Sequence, residues 1–260
     1  MQDQRALGDM LAKVTVRSVE DIYDAAVVMQ AAAEDRGMRV AICDDISSKE
    51  PLTDADGTVI NAEIFGWILD GDRWWEDHRL ALNAPFPQSC RYESEPFWCN
   101  ASGFYGHWHN EYLDKIDSTE YFAKTMNYRS AILIPVHLPF GQISANCFVP
   151  VDPELEDLSE PFAKHSEFFA LLTRRFVAGY VSAKRTKRRI PSSCFLSKHE
   201  VVCLRWAAIG KTDSEIGEII SRSHATVRYH IHRAGEKLNS VNRAQSIFKA
   251  GQLGFLGASD

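Results

Sequence analysis

The chain has 260 residues with 45% hydrophobic content, which suits one large or two ordinary folded domains and excludes wholesale disorder. Its formal charge of −6 is unevenly placed: from Lys184 onward there are 14 Lys and Arg against 6 Asp and Glu, net +8, while the first 183 residues carry 15 against 29, net −14. Contact with a polyanion is therefore expected of the C-terminal part alone.

Gln2 to Lys13 reads as a short helix with Leu7, Met10 and Leu11 on one side. Ser18 caps a second helix to about Gly37, whose inward stripe is Ile22, Ala25, Ala26, Met29 and Ala33. Arg39 to Cys43 is a strand. The acid pair Asp44-Asp45 after it resembles the opening of a phospho-receiver domain, but Gln88 to Arg91, where a phosphorylatable Asp is expected, holds none. Asp56-Gly57 is a turn, Val59 to Leu69 is expected to be a strand, and a helix starts at Arg73 and ends before Pro85. Cys90 to His109 is rich in aromatic residues and includes Arg91, Glu93 and Glu95. Asp117 to Met126 is a helix, and Ala131 to Val136 and Ile143 to Val149 are two strands. Helices interleaved with an antiparallel sheet predict an α/β sandwich for the N-terminal domain.

Glu154 to Lys184 is mostly helix, with Pro161 in its first turn. Leu158, Phe162, His165, Phe169, Leu172, Phe176 and Tyr180 form one long stripe, to be shared between core and a dimer seam. The basic run Lys184 to Arg189 before Pro191 reads as a solvated linker that also touches phosphates. The expected domains are thus residues 1–183, a linker at 184–192, and residues 193–260.

Four helices can be read in the last domain. Ser197 and Glu200 form a capping box for the first, which stops at Gly210, and Thr212 and Glu215 form another for the second. Ser223 caps the third, to about Leu238, and the fourth runs from about Asn242 to Ala250. On the third helix Val227, Ile231, Ala234 and Leu238 share an apolar face. His224, Arg228 and His232 share another, flanked by Arg222, Tyr229 and Arg233. A short helix, a tight turn and a helix with an exposed basic side make a helix-turn-helix, whose second helix fits the DNA major groove. Gly210-Lys211-Thr212 is not a phosphate-binding loop, because Arg205 stands where that loop needs its first Gly. Lys211 and Thr212 sit instead at a helix start suited to a DNA phosphate.

The segment resembles the DNA-binding domain of the LuxR/GerE (NarL-type) transcription regulators. The resemblance rests on Leu196-Ser197, Glu200, Leu204, Ala207-Ala208, Gly210-Lys211-Thr212, Glu215-Ile216, Ile219, Thr226-Val227, His230, Lys237-Leu238 and Asn242-Arg243. It implies an all-α four-helix domain that binds double-stranded DNA as a homodimer at an inverted repeat, with RNA polymerase as a further partner. Arg228 and His232 are expected to read base edges, and Arg222, Ser223, His224, Tyr229 and Arg233 to support them.

The order of elements before the linker is similar to the autoinducer-binding domain of the quorum-sensing branch of that family. Trp98, after Pro96-Phe97, fits one of its tryptophans. His78 stands four residues after Trp74 where the branch has Tyr, and Asn83-Ala84 where it has Asp-Pro. The resemblance implies an acyl-homoserine lactone, and the departures point to a non-standard ligand that is amphipathic or aromatic. Trp75, Tyr92, Glu95 and Trp98 are the expected ligand residues: the rings as stacking walls, a partly buried Glu95 as an acceptor. The alternative is a domain that binds no small molecule and serves protein interaction and dimerisation.

Six cysteines without C-x-x-C spacing give little support to a zinc or disulfide framework and read as reduced, buried thiols. His107 and His109 lack further ligands at suitable spacing, so neither metal nor cofactor is expected. No nucleophile, base and orienter can be assembled, so the chain is not expected to be an enzyme. With no signal peptide and no apolar run of bilayer length, a cytoplasmic protein without a membrane partner is expected.

Overall fold

Met38, Val40 and Ile42 alternate with Arg39, Ala41 and Cys43. In the computed structural model of the chain this segment is strand β1 (Met38–Cys43), with the first set buried and the second half-buried. The structure describes residues 2–48, 50–67, 83–124, 127–184 and 195–257. The helix expected from Arg73, with Trp75 on it, and the linker beyond Lys184 lie outside them. The chain forms two compact units, one carrying the sheet and one the C-terminal helices. Among the described residues no helix is long and apolar enough to cross a membrane.

The first unit is a five-stranded, wholly antiparallel sheet in the order β1-β5-β4-β2-β3, with β2 Phe97–Asn100, β3 Gly103–Gly106, β4 Ser130–Leu138 and β5 Gln142–Pro150. On one face Val40, Ile42, Trp98, Ile132, Ile134 and Phe148 pack under helices α1 (Gln2–Val14), α2 (Ile22–Glu34) and α5 (Ser159–Lys184). The α5 stripe is core here: Phe169, Leu172 and Phe176 are fully buried, and Phe169 stacks on Phe148 with centroids 4.1 Å apart. Each such side chain contributes about 1.5–3 kcal/mol of burial. The second face carries Phe97, Cys99, Ala131, Leu133 and Val149 beneath α3 (Pro85–Tyr92) and α4 (Thr119–Lys124), which supply Phe86, Cys90 and Phe122.

One expectation is corrected, and one passage left unassigned takes shape. The strand expected over Val59 to Leu69 is not found in its described part, up to Trp67: residues 60–64 form one wide helical turn closed by the bond from Phe65 N to Ile60 O. Its buried Ile60 and Ile64 are four apart, a helical spacing that the β-branched composition masks. Pro85–Tyr92 is a helix, and the aromatic passage after it is the hairpin β2–β3, closed by an Asx turn in which Asn100 Oδ1 accepts from Ser102 N at 2.8 Å.

That wide turn protects the sheet edge. A free β1 edge would leave backbone groups unpaired. Asn61, buried, accepts from Ile42 N at 3.0 Å and donates to Ile42 O at 2.8 Å, while Trp67 Nε1 donates to Val40 O at 2.6 Å. One side-chain amide thus stands in for a neighbouring strand. Asn61→Ala should lower the stability of this unit by about 2 kcal/mol, because two buried backbone groups lose their partners. Urea denaturation followed by far-UV circular dichroism measures it; a cost below a few tenths would mean water replaces the amide.

The second unit packs α6 (Lys198–Ala208), α7 (Asp213–Ile220), α8 (His224–Lys237) and α9 (Arg243–Gln252) around Cys203, Leu204, Ile216, Val227, Ala234 and Ala250. The helix starts are those expected. Ser197 and Thr212 each close a reciprocal capping box, and Ser223 and Asn242 accept from Thr226 N and Gln245 N. Glu200 also ties helices together: its buried carboxylate takes Lys237 Nζ at 2.7 Å and Ser197 N at 2.6 Å.

Burial raises the Glu200 pKa, but the Lys237 ammonium and the Ser197 amide outweigh it and hold the carboxyl below its usual range. A depressed carboxylate pKa stabilises the fold above the unfolded value of about 4.3, and that stability is lost as pH falls through the folded pKa. Lys237→Met should therefore cost about 1–2 kcal/mol at neutral pH, discounted for the ammonium's 25% exposure. The difference from the parent should close in acid, where both proteins protonate Glu200. Hydrogen exchange of the α6 amides at several pH values reads it, and a pH-independent gap would assign the effect to packing instead.

Candidate nucleic-acid interface

The turn between α7 and α8 is held by backbone chemistry. Ser221 takes a left-handed conformation (φ 54°, ψ 51°), which reverses the chain, and Arg222 N donates to Gly217 O at 2.8 Å. Gly217 is buried under the turn. A Cβ there would lie 2.6 Å from Arg222 O and 3.4 Å from His224 N, so only glycine lets the two helices approach this closely.

That approach fixes which side of α8 faces out. Val227, Ile231 and Ala234 are buried. Ala225, Arg228, Tyr229, His232, Arg233 and Glu236 are exposed, as are Arg222, Ser223 and His224 at its start. The residues proposed from the sequence to meet DNA thus lie together around the helix start and along its outer face.

Several of them already have local partners. Ser223 Oγ accepts from Thr226 N at 3.1 Å, and Thr212 is bonded to Glu215, so both hydroxyls cap helices. Arg228 Nε lies 3.6 Å from Asp213, whose carboxylate also binds Arg243. Arg243 in turn donates to Lys211 O at 2.7 Å. Lys211, Asp213, His224, Arg228 and Arg243 together line a surface cleft of about 490 Å³ beside the start of α7. It holds three guanidinium or ammonium groups against one carboxylate, a setting for a phosphate next to free helix amides. Further along α8, Arg233 pairs with Glu236 at 2.7 Å and His232 Nδ1 lies 3.8 Å from the same carboxylate. Asp213 and Glu236 were not singled out from the sequence. The Asp213–Arg243 contact joins α7 to α9, and no local pattern announces it. Glu236 sits three and four residues after Arg233 and His232, a spacing that was open to reading.

The residues expected to hold a ligand stand in different settings. Trp98 is buried on the α5-covered face of the sheet and stacks on Tyr105, with centroids 4.3 Å apart. Tyr92 ends α3 with 53% of its surface exposed and stacks on Tyr112. Glu95 is exposed, not partly buried. The buried carboxylate is that of Glu93, which accepts from Ser94 N, Glu95 N and Asn110 Nδ2 and so organises its own loop. Trp75 lies outside the described residues.

Residues 195–250 match the family of bacterial regulatory proteins described as the luxR family. The chain is 30% identical over 128 residues to the transcriptional activator protein VanR of Vibrio anguillarum, covering 49% of this chain and 52% of that protein. It is 48% identical over 61 residues to the HTH-type quorum sensing-dependent transcriptional regulator VjbR of Brucella ovis, 24% of each. The chain thus spans about half the length, or less, of these curated relatives. Among solved structures, SdiA of Escherichia coli has a similar fold, with a TM-score of 0.50 and 19% identity over 97% of this chain and 98% of that one. SdiA in complex with octanoyl-rac-glycerol matches with the same TM-score, at 18% identity over 100% and 99%.

Proposed function

Because the C-terminal unit carries a helix-turn-helix domain of the luxR family of bacterial regulatory proteins, we propose that this protein is a one-component transcription regulator, a homodimer on double-stranded DNA whose binding is set by a small molecule. The observation that carries the DNA-binding part is the outer face of α8, where Arg228, Tyr229, His232 and Arg233 stand exposed above a fully packed inner face. Arg228 and His232 read base edges; Arg222, Ser223, His224, Tyr229 and Arg233 support them through bases or phosphates; Lys211 and Thr212 meet the backbone. RNA polymerase is the further partner of such a regulator.

Selection of the full chain on random duplexes, followed by footprinting, tests this. The expected site is an inverted repeat with half-site centres about one helical turn, ~10 base pairs, apart. Affinity should fall steeply with salt as counterions are released. Enrichment of no sequence, with binding equal on all duplexes, would count against it.

The sensing part is supported by the α/β sandwich and by the SdiA complex, in which that protein holds octanoyl-rac-glycerol. A second reading has its own support. Trp98 is buried while Tyr92 and Glu95 are exposed, as fits a first unit that binds no ligand and serves dimerisation and protein contact. Thermal shift against fractions of host extract separates the two, since a ligand raises the melting temperature by mass action and a ligand-free module gains nothing.

A further inference from the structure

Three arginines stand on or beside the outer face of α8, and their guanidinium groups are engaged differently. Arg222 Nη1 donates to Ser221 O at 3.3 Å, and Arg233 Nη1 donates to Glu236 at 2.7 Å. Each thus commits a terminal nitrogen locally. Arg228 meets its carboxylate through Nε instead, 3.6 Å from Asp213 Oδ2. Its two terminal nitrogens hold no hydrogen bond among the described residues. That pair is the one that can take guanine O6 and N7 together.

Asp213 is itself held. Its side chain is 19% exposed, and its other oxygen, Oδ1, is taken by Arg243 Nη1. Arg243 Nη2 donates to Lys211 O at 2.7 Å, so the relay is anchored on backbone. One carboxylate oxygen is therefore fixed from α9 while the other faces Arg228, a side chain that is otherwise largely in solvent. The start of α7 does not need Asp213 as a cap, because Thr212 and Glu215 already close a capping box there. A first-turn acid suits the helix dipole, yet that alone calls for no arginine on either oxygen. Arg228 also shares the cleft at this helix start with Lys211. A long, flexible cation beside a phosphate setting would take the phosphate, a contact that carries no sequence information.

We propose that Asp213 is a positioning residue for base reading: it holds Arg228 by Nε, leaves the terminal nitrogens to a guanine and keeps the guanidinium off the neighbouring phosphate. The tether also reduces the rotamer freedom that Arg228 has still to lose on binding. This rests on the base-reading role proposed above for Arg228 and adds the residue that sets its specificity.

Fluorescence anisotropy of the full chain tests it on three duplexes: the selected one, the same one changed in each half-site at the base pair where Arg228→Ala relaxes preference, and an unrelated one. Asp213→Asn keeps an acceptor for Arg243 and removes the charge. Preference for the selected base pair over the changed one should fall about five- to tenfold, part of the discrimination that a bidentate arginine gives. Binding to the unrelated duplex should rise, with a salt slope steeper by about one unit as Arg228 goes to a phosphate. Asp213→Glu keeps the charge and should restore the slope and part of the preference. The ratio of two affinities does not depend on the fraction of protein folded, so a loss of stability alone leaves it unmoved. In an Arg228→Ala background, Asp213→Asn should lower the preference no further, since the group it aims is gone. An unchanged ratio in Asp213→Asn overturns the proposal. So does a rise shared equally by every duplex, which would make Asp213 only a repelling charge, or a further loss of preference in the Arg228→Ala background. Failure of base reading is seen separately: Arg228→Ala alone would then keep the parent's preference, which refutes both.

Discussion

Gly217→Ala is expected to abolish sequence-specific DNA binding without altering any residue proposed to meet DNA. The added methyl would sit 2.6 Å from Arg222 O, and the atom it strikes is backbone held within the turn, not the end of a flexible side chain. The turn is already at its tightest, with Ser221 left-handed and Arg222 N bonded back to Gly217 O. Relief has to come from moving α8 away from α7. Overpacking of this kind costs about 1–3 kcal/mol, here at the upper end because neither side yields cheaply. The displacement also tilts Arg228 and His232 away from the frame set by α7, so the base contacts proposed for them would be lost together. Fluorescence anisotropy on the selected duplex should show affinity falling to the non-specific level, with the second unit still folded at low temperature. Gly251→Ala is the control. It lies in α9 with its nearest neighbour at 3.9 Å, so it should be neutral or stabilise by up to about 1 kcal/mol. Parent-like affinity in Gly217→Ala would show that the turn tolerates more slack than its geometry implies.

The same contrast between local and distant determinants explains how much of this protein was legible in its sequence. The second unit was read almost to the residue because its signals are local: each helix start is announced by Ser197, Thr212, Ser223 or Asn242 bonding three residues ahead. The inner and outer faces of α8 follow from a 3.6-residue period. In the first unit β1, β4, β5 and the long helix α5 were legible for the same reason. The elements misread or left unassigned depend on distant partners. The turn at 60–64 is fixed by Asn61 pairing with Ile42, and the β2–β3 hairpin by β4, which it joins across a long gap in sequence. Glu93 and Glu95 are equivalent on paper, and the distant partner that marks Glu93 as the buried one is Asn110. The ion-pair network of Asp213, Arg228 and Arg243 was hidden likewise, since it joins three helices.

That network makes Arg228 the most informative position for base reading. Its side chain is 74% exposed, and Asp213, its one ionic neighbour among the described residues, is also neutralised by Arg243. Arg228→Ala therefore leaves no unpaired buried charge, and the fold should be unaffected. The loss then falls on DNA: about 1–3 kcal/mol of specific binding, up to roughly two orders of magnitude in affinity, if the guanidinium takes a guanine through both donors. Binding to unrelated duplexes should hardly change, so preference at one position of each half-site relaxes. Arg228→Lys separates charge from geometry. The ammonium keeps the phosphate attraction, so the salt slope should stay near that of the parent, but it lacks the two-pronged fork and should lose most of the preference. Binding-site selection with the parent, Arg228→Ala and Arg228→Lys reads all of these outcomes. An identical preferred site in all three would remove Arg228 from base reading and leave it as a partner of Asp213, whereas a loss shared equally by every duplex would make it a phosphate contact.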